Sequence, residues 1–248
     1  MLIRDSGVVQ LFAENAQEAY DLTVMASRIA EHPSVLLPVL VCQDGFTITH
    51  SAEPVALLDD ADVRGFVGEY RIPHPVLDVA RPATQGPFAM PDYYYEFRRA
   101  QSAAAEAALN VFCRVAAEFE ALSGRRYTPV EEYRLEGASR AIVALGSTAG
   151  TVKDVVDELR AAGLPDGLLR IVCYRPFPAE AVAAALAGVE SVVVLDRADS
   201  PGGTPPLHAD LARAVERAWR TRVLEIFGAT EVGSIASRRT VNGEVWQA

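Results

Sequence analysis

The sequence predicts an α/β protein made of two consecutive units that join near residue 130. Two observations predict it. Short apolar runs alternate with amphipathic stretches, and strands alternating with helices give parallel sheets with right-handed crossovers. The run "SVLLPVLVCQDGF" is continuously apolar up to its polar turn, which suits a strand in a parallel sheet covered on both faces. With half of its 248 residues hydrophobic, the chain can bury one large core or two modest ones.

The elements follow in order. After the polar group Arg4-Asp5-Ser6-Gly7 comes a short apolar run through Val8, Val9, Leu11 and Phe12. A helix over 16–31 begins at Asn15, with Glu18 three residues on completing a capping box, and stops at Pro33. A strand over about 35–42 leads into the turn Asp44-Gly45. Residues 51–95 carry six prolines and only a short helix near 60–69; so long an irregular stretch is usually functional or interface-forming. A helix from Tyr95 to Leu122 follows, with Phe97, Ala104, Ala108, Phe112, Val115, Phe119 and Leu122 in one apolar stripe and Gly124 at its end. The linker "RRYTPVEEYRLEGA" leads to the second unit. There "RAIVALGS", "GLLRIVCY", "SVVVLDR" and "RVLEIFG" read as strands. "TAGTVKDVVDELRAAG", "PAEAVAAALAG" and "PLHADLARAVERAW" read as helices.

Several function classes are disfavoured. A net charge of −10 is the opposite of a nucleic-acid footprint. The chain has neither a run of about 20 apolar residues nor a signal segment, so no membrane contact and a soluble, cytoplasmic protein are expected. Cys42, Cys113 and Cys173 are far apart in apolar surroundings, with no CxxC; they read as three buried thiols, not as ligands of a cluster or zinc ion. The four histidines show no metal-ligand spacing, and no metal site is expected. Lys153, the sole lysine, falls inside a helix, away from Schiff-base or phosphate-loop chemistry.

Partial motifs remain. "GSTAG" (Gly146 to Gly150) sits at a strand-to-helix turn where a pyrophosphate would bind, yet it lacks GxGxxG; close helix–sheet packing is the preferred reading. "SPGGTPP" (Ser200 to Pro206) reads as a turn feeding a helix, with anion binding as the alternative. In "YRPFP", Arg175 lies between a strand end and two prolines, and pairing with an acid across a domain or subunit contact is expected. "DGFTITH" (Asp44 to His50) lies at the carboxyl end of a strand, where open α/β sheets bind ligands; a capped turn explains it equally well.

Taken in order, "RDSGVVQLFAENAQEAYD", "LLPVLVCQDGFTITH", "GRRYTPVEEYRLEGA", "ALGSTAGTVKDVVDELRAAG", "CYRPFP" and "VVVLDRADSPGG" resemble the α region of the pyruvate:ferredoxin and 2-oxoacid:ferredoxin oxidoreductases. The resemblance runs from residue 4 to about 228; the tail "ATEVGSIASRRTVNGEVWQA" departs from it. It implies that residues 1–130 are the carboxyl-terminal half of a pyrimidine-type thiamine diphosphate domain with a long linking helix. Residues 131–248 would form a transketolase C-terminal-like α/β domain.

What the resemblance implies about function follows from that placement. The expected role is one subunit of a thiamine diphosphate-dependent 2-oxoacid oxidoreductase complex, inactive alone. The family glutamate that contacts the aminopyrimidine has no counterpart in these residues. Thiamine diphosphate and Mg²⁺ are therefore expected mainly on partner chains, and iron–sulfur clusters only there. The partners implied are a separately encoded amino-terminal half of the α subunit and a thiamine diphosphate-binding β subunit, with room for γ and ferredoxin-like subunits. Arg4, Asp5, Asp44 and His50 are the candidates for a wall of the substrate pocket, and Arg175 is the candidate interface residue. The rival reading is a non-catalytic scaffold subunit.

Overall fold

A computed structural model describes residues 1–220 and the strands 225–229 and 233–238. The amino-terminal unit is a three-stranded sheet. Strand β1 (Val9–Phe12) pairs parallel with β2 (Val39–Cys42), joined by helix α1 (Ala16–Ala30). Asn15 caps α1 by accepting from the Glu18 N–H at 2.9 Å. Glu18 reaches back one residue further than a capping box requires, accepting from the Glu14 N–H at 2.8 Å. Helix α2 (Asp60–Val67) and the long α3 (Pro91–Ser123) complete this unit. Gly124 ends α3 in the left-handed conformation.

The predicted strand over 35–42 is shorter than expected and lies at an edge. Leu36 has φ +47°, which breaks the extended chain, and strand structure begins only at Val39. All four β2 residues are half-buried, so this strand is not covered on both faces. In α3 the apolar stripe is buried only from Ala108 to Phe119; Phe97 and Leu122 are exposed.

The second unit begins with β3 (Val130–Tyr133), inside what the sequence reads as a linker. It pairs antiparallel with β5 (Asp166–Ile171), and β4 (Arg140–Leu145) lies parallel between β5 and β7 (Ser191–Val194). The resulting order β3-β5-β4-β7 makes a mixed sheet rather than a wholly parallel one. Helices α4 (Thr148–Ala161), α5 (Ala179–Ala185) and α6 (Pro206–Trp219) cover it. The last predicted strand falls partly outside the described residues; its described part, β8 (Glu225–Ala229), forms an antiparallel hairpin with β9 (Gly233–Arg238) from the divergent tail.

The larger correction concerns "GLLRIVCY". It is two strands, because β6 (Cys173–Arg175) leaves the second sheet and pairs antiparallel with β1 in the first. Val172 and Cys173 therefore pack in the first core, with Leu11, Leu22, Met25, Phe112 and Phe119. Tyr174 faces the other core, with Val182, Leu207 and Leu211, and Phe12 packs against it from β1. The linear boundary near 130 is thus crossed by a strand.

Candidate functional site

The five candidate residues lie at opposite ends of β1 and β2, and four of them join one of two clusters there. Because the strands are parallel, Arg4 and Asp5 precede them while Asp44 and His50 follow them, across roughly 13 Å of strand.

At the leading end, residues 1–6 form a tight turn in which the Arg4 N–H donates to Met1 at 3.0 Å and the Ser6 N–H to Ile3 at 3.1 Å. Gly7 leaves that turn at φ +93°, a conformation costly for any residue with a Cβ. A Cβ there would also lie 2.0 Å from Gln101 Nε2, which donates to the Ser6 carbonyl at 3.1 Å. Helix α3 therefore holds the Arg4-Asp5 turn through Gln101. Asp5 lies 3.4 Å from Arg4 and 3.7 Å from Arg175, which in turn donates to Asp210 at 2.7 Å. Tyr174 donates its hydroxyl to the same Asp210 oxygen at 2.7 Å, and the Arg175 guanidinium stacks 4.3 Å over its ring. Burial, followed by that bond to Asp210, pushes the Tyr174 hydroxyl up, so it stays a donor. The structure thus brings Arg4, Asp5 and Arg175 together where the two units meet. Asp5, 75% exposed at its side chain, adds little to holding Arg175; the largely buried Asp210 is the stronger partner.

At the trailing end, one Asp44 oxygen accepts from the Ser147 N–H at 3.0 Å and from its hydroxyl, and the other pairs with Arg197 at 2.6 Å. Ser147 opens α4 in "GSTAG", so the carboxylate of the first unit occupies the helix N-terminus where an anion would sit. The turn at Gly146 has φ +66°, and a Cβ there would lie 3.2 Å from Asp44. Phe12, Ala13, Cys42, Gln43, Asp44 and Gly146 line a cavity of about 40 Å³ beside this contact, room for water rather than substrate. His50 is exposed, stacks 4.6 Å from the Phe46 ring and bonds Thr49 at 2.7 Å. It does not join either cluster.

A third group was not read from the sequence. Arg170, the penultimate residue of β5 and 1% exposed, meets Glu14 at 2.7 Å, Glu131 at 2.6 Å and Glu18 through both terminal nitrogens. Lys153 adds pairs to Glu14 at 2.7 Å and Glu131 at 2.8 Å. Burial works against the charge on Arg170, but Glu18, Glu14 and Glu131 outweigh it and raise its pKa. The signal was available: an arginine inside "GLLRIVCY" needs carboxylates brought to it. The oxygens of Glu14, Glu18 and Glu131 cluster within 4.8 Å, but each is already paired with the Arg170 guanidinium or the Lys153 ammonium, and those cations would repel a divalent ion. The cysteines divide: Cys173 is buried, Cys42 half-buried and Cys113 exposed, so the expectation of three buried thiols holds for one.

Residues 1–116 match the family model described as pyruvate flavodoxin/ferredoxin oxidoreductase, thiamine diphosphate-binding, and residues 138–235 match pyruvate:ferredoxin oxidoreductase core domain II. The chain carries two domains of the pyruvate:ferredoxin oxidoreductase family. It is 50% identical over 215 residues to pyruvate synthase subunit PorA of Thermotoga maritima, covering 87% of this chain and 55% of that one. It is 42% identical to the alpha subunit of NADH-dependent phenylglyoxylate dehydrogenase of Aromatoleum evansii, over 79% of this chain and 49% of that one. The chain spans about half the length of the curated relatives it matches. A 2-oxoglutarate:ferredoxin oxidoreductase structure from Magnetococcus marinus shares the fold at 19% identity and TM-score 0.50, over 75% of this chain and 34% of that one. Among the described residues, no helix is long and apolar enough to cross a membrane.

Proposed function

We propose that the chain is an α-type subunit of a thiamine diphosphate-dependent 2-oxoacid oxidoreductase complex, inactive alone and completed by other polypeptide. The observation that carries this is the ordered match of both domains to one family, with relatives at 42–50% identity named as subunits acting on two different 2-oxoacids. That pair of names supports the substrate class and leaves the individual acid open. The pairing of Glu14, Glu18 and Glu131 with Arg170 and Lys153 supports the reading that a partner chain holds Mg²⁺ with the diphosphate, and the three widely spaced cysteines support placing any iron–sulfur clusters there too. The cofactor, when bound, supplies the carbanion chemistry of decarboxylation, and the protein supplies position and electrostatics.

Within this reading Arg4 and Asp5, held by Gln101 on one side and facing Arg175 on the other, form the wall nearest the substrate. An arginine suits the carboxylate of a 2-oxoacid, and the loosely held Asp5 can yield its place beside the guanidinium groups. Asp44 is assigned to joining the units through Ser147, and His50 to the exposed rim.

The test is to co-express the chain with its neighbours, weigh the complex by native mass spectrometry, and assay 2-oxoacid-dependent electron transfer. A complex that takes up thiamine diphosphate and turns over is expected. Arg4→Ala should raise KM for the 2-oxoacid at least tenfold without changing the complex mass, whereas His50→Ala should change little. Unaltered kinetics in Arg4→Ala would remove the substrate-wall assignment. A complex with no turnover at all would support the scaffold reading instead.

A further inference from the structure

We infer that Arg4 and Arg175 form an anion clamp between the two units, filled in this structure by the chain's own Asp5, which the carboxylate of a 2-oxoacid displaces. The inference rests on the substrate-wall reading of Arg4 and adds to it a second arginine and an internal competitor. Arg4 is the unusual member. Its side chain is only 29% exposed, yet among the described residues its guanidinium donates no hydrogen bond, and Asp5 lies 3.4 Å from its Nε. A guanidinium carries five N–H donors, and its charge-assisted bonds to carboxylates run at about 2.7–2.9 Å. On its other side Asp5 is held no more closely, 3.7 Å from Arg175. Two guanidiniums thus converge on one carboxylate that bonds neither of them well.

Both halves of the clamp are fixed before a ligand arrives, which lowers the cost of binding one. Arg175 donates to Asp210 at 2.7 Å and to the Tyr174 carbonyl at 3.0 Å, and it stacks over the Tyr174 ring. Tyr174 donates to the same Asp210 oxygen, so this acid is committed within the second unit. The Arg4 turn is tied to α3 through Gln101. Asp5, 75% exposed, is the member that can turn into water at little cost. With Asp210 committed to Arg175, Asp5 is the acid that balances Arg4. Once Asp5 turns outward, one positive charge is left, and one carboxylate restores the balance. A 2-oxoacid also brings a neighbouring carbonyl oxygen to the unused donors of Arg4, a demand that a planar fork meets and an ammonium does not. Asp5 competes for the same place, so apparent affinity falls by the fraction of time it occupies the clamp.

NMR titration of residues 1–248 with oxamate, an unreactive 2-oxoacid analogue, tests this, with arginine Nε–H signals as the readout and inorganic phosphate as the comparison anion. Saturable shifts at Arg4 and Arg175 are expected. Asp5→Asn should tighten oxamate binding roughly two- to fivefold, the amount an exposed ion pair contributes. Arg4→Gln should weaken it roughly tenfold with the circular dichroism spectrum retained, since Arg4 donates no hydrogen bond that the described fold depends on. No shift even in Asp5→Asn overturns the inference, as does an affinity in Asp5→Asn equal to that of the wild type. Phosphate binding more tightly than oxamate overturns the carboxylate assignment. The titration needs no turnover, so its failure is distinct from failure of the assay above. An oxamate site that responds to Asp5→Asn, in a complex whose KM ignores Arg4→Ala, keeps the clamp and removes the substrate wall.

Discussion

At the scale of single residues, the structure sets two ionisable groups against burial with opposite outcomes. Arg170 keeps its charge because three glutamates reach it; replacing it strands Glu14, Glu18 and Glu131 around an uncompensated space. Removing one partner of a buried ion group costs roughly 3–5 kcal/mol. Arg170→Met should therefore lower the urea midpoint sharply. Arg99→Ala, whose guanidinium lies 4.0 Å from Glu106 with both side chains exposed, should move it little, since water replaces the lost partner. Equal midpoints for the two variants would contradict the account. Cys173 goes the other way: burial pushes its thiol up to about 12, against about 8.5 in an unfolded chain. The folded state thus holds the proton that the unfolded state releases, so stability is full below about pH 8.5 and declines as pH rises toward 12. Burial raises Cys42 and Cys113 too, so the wild-type decline combines three thiols. In urea titrations from neutral pH to pH 10.5, Cys173→Ala should decline less steeply than wild type; parallel profiles would refute the assignment.

At the scale of elements, the sequence was legible wherever local chemistry decides the outcome. Asn15 with Glu18 starts α1, Gly124 ends α3, and the alternation from "RAIVALGS" onward gives β4, α4 and β5 in register. It was illegible where a partner strand decides. The four residues of β3 look like linker because Glu131 and Glu132 interrupt any apolar run, yet pairing with β5 makes them a strand and aims Glu131 at Arg170. "GLLRIVCY" shows no turn residue at Val172, so nothing local announces that the chain changes sheets there. The candidate site was legible in part for the same reason. Arg175 lies far in sequence from Arg4 and Asp5, and β6 pairing with β1 is what gathers them. Asp44 and His50 were grouped with them because both groups border strand ends, but a parallel pair puts the start of one and the finish of the other at opposite edges.

At the scale of the whole molecule, the two units are joined by more than a linker. Strand β6 adds a third member to the first sheet, Cys173 and Val172 fill its core, Asp44 caps α4, and Glu14 and Glu18 meet Arg170 and Lys153. A fragment of residues 1–130 would keep α1, α2 and α3 but would reduce the sheet to the β1–β2 pair, too few strands to be stable independently. It would also leave the sequestered face of β1 open and strip Glu14 and Glu18 of their cations. Made alone, that fragment should therefore show helical circular dichroism without a cooperative urea transition, while residues 1–248 unfold in one transition reported alike by far-ultraviolet circular dichroism and tyrosine fluorescence. A sharp, independent transition in the fragment would mean that the joint between the units is dispensable, and that β6 decorates the first sheet instead of completing it.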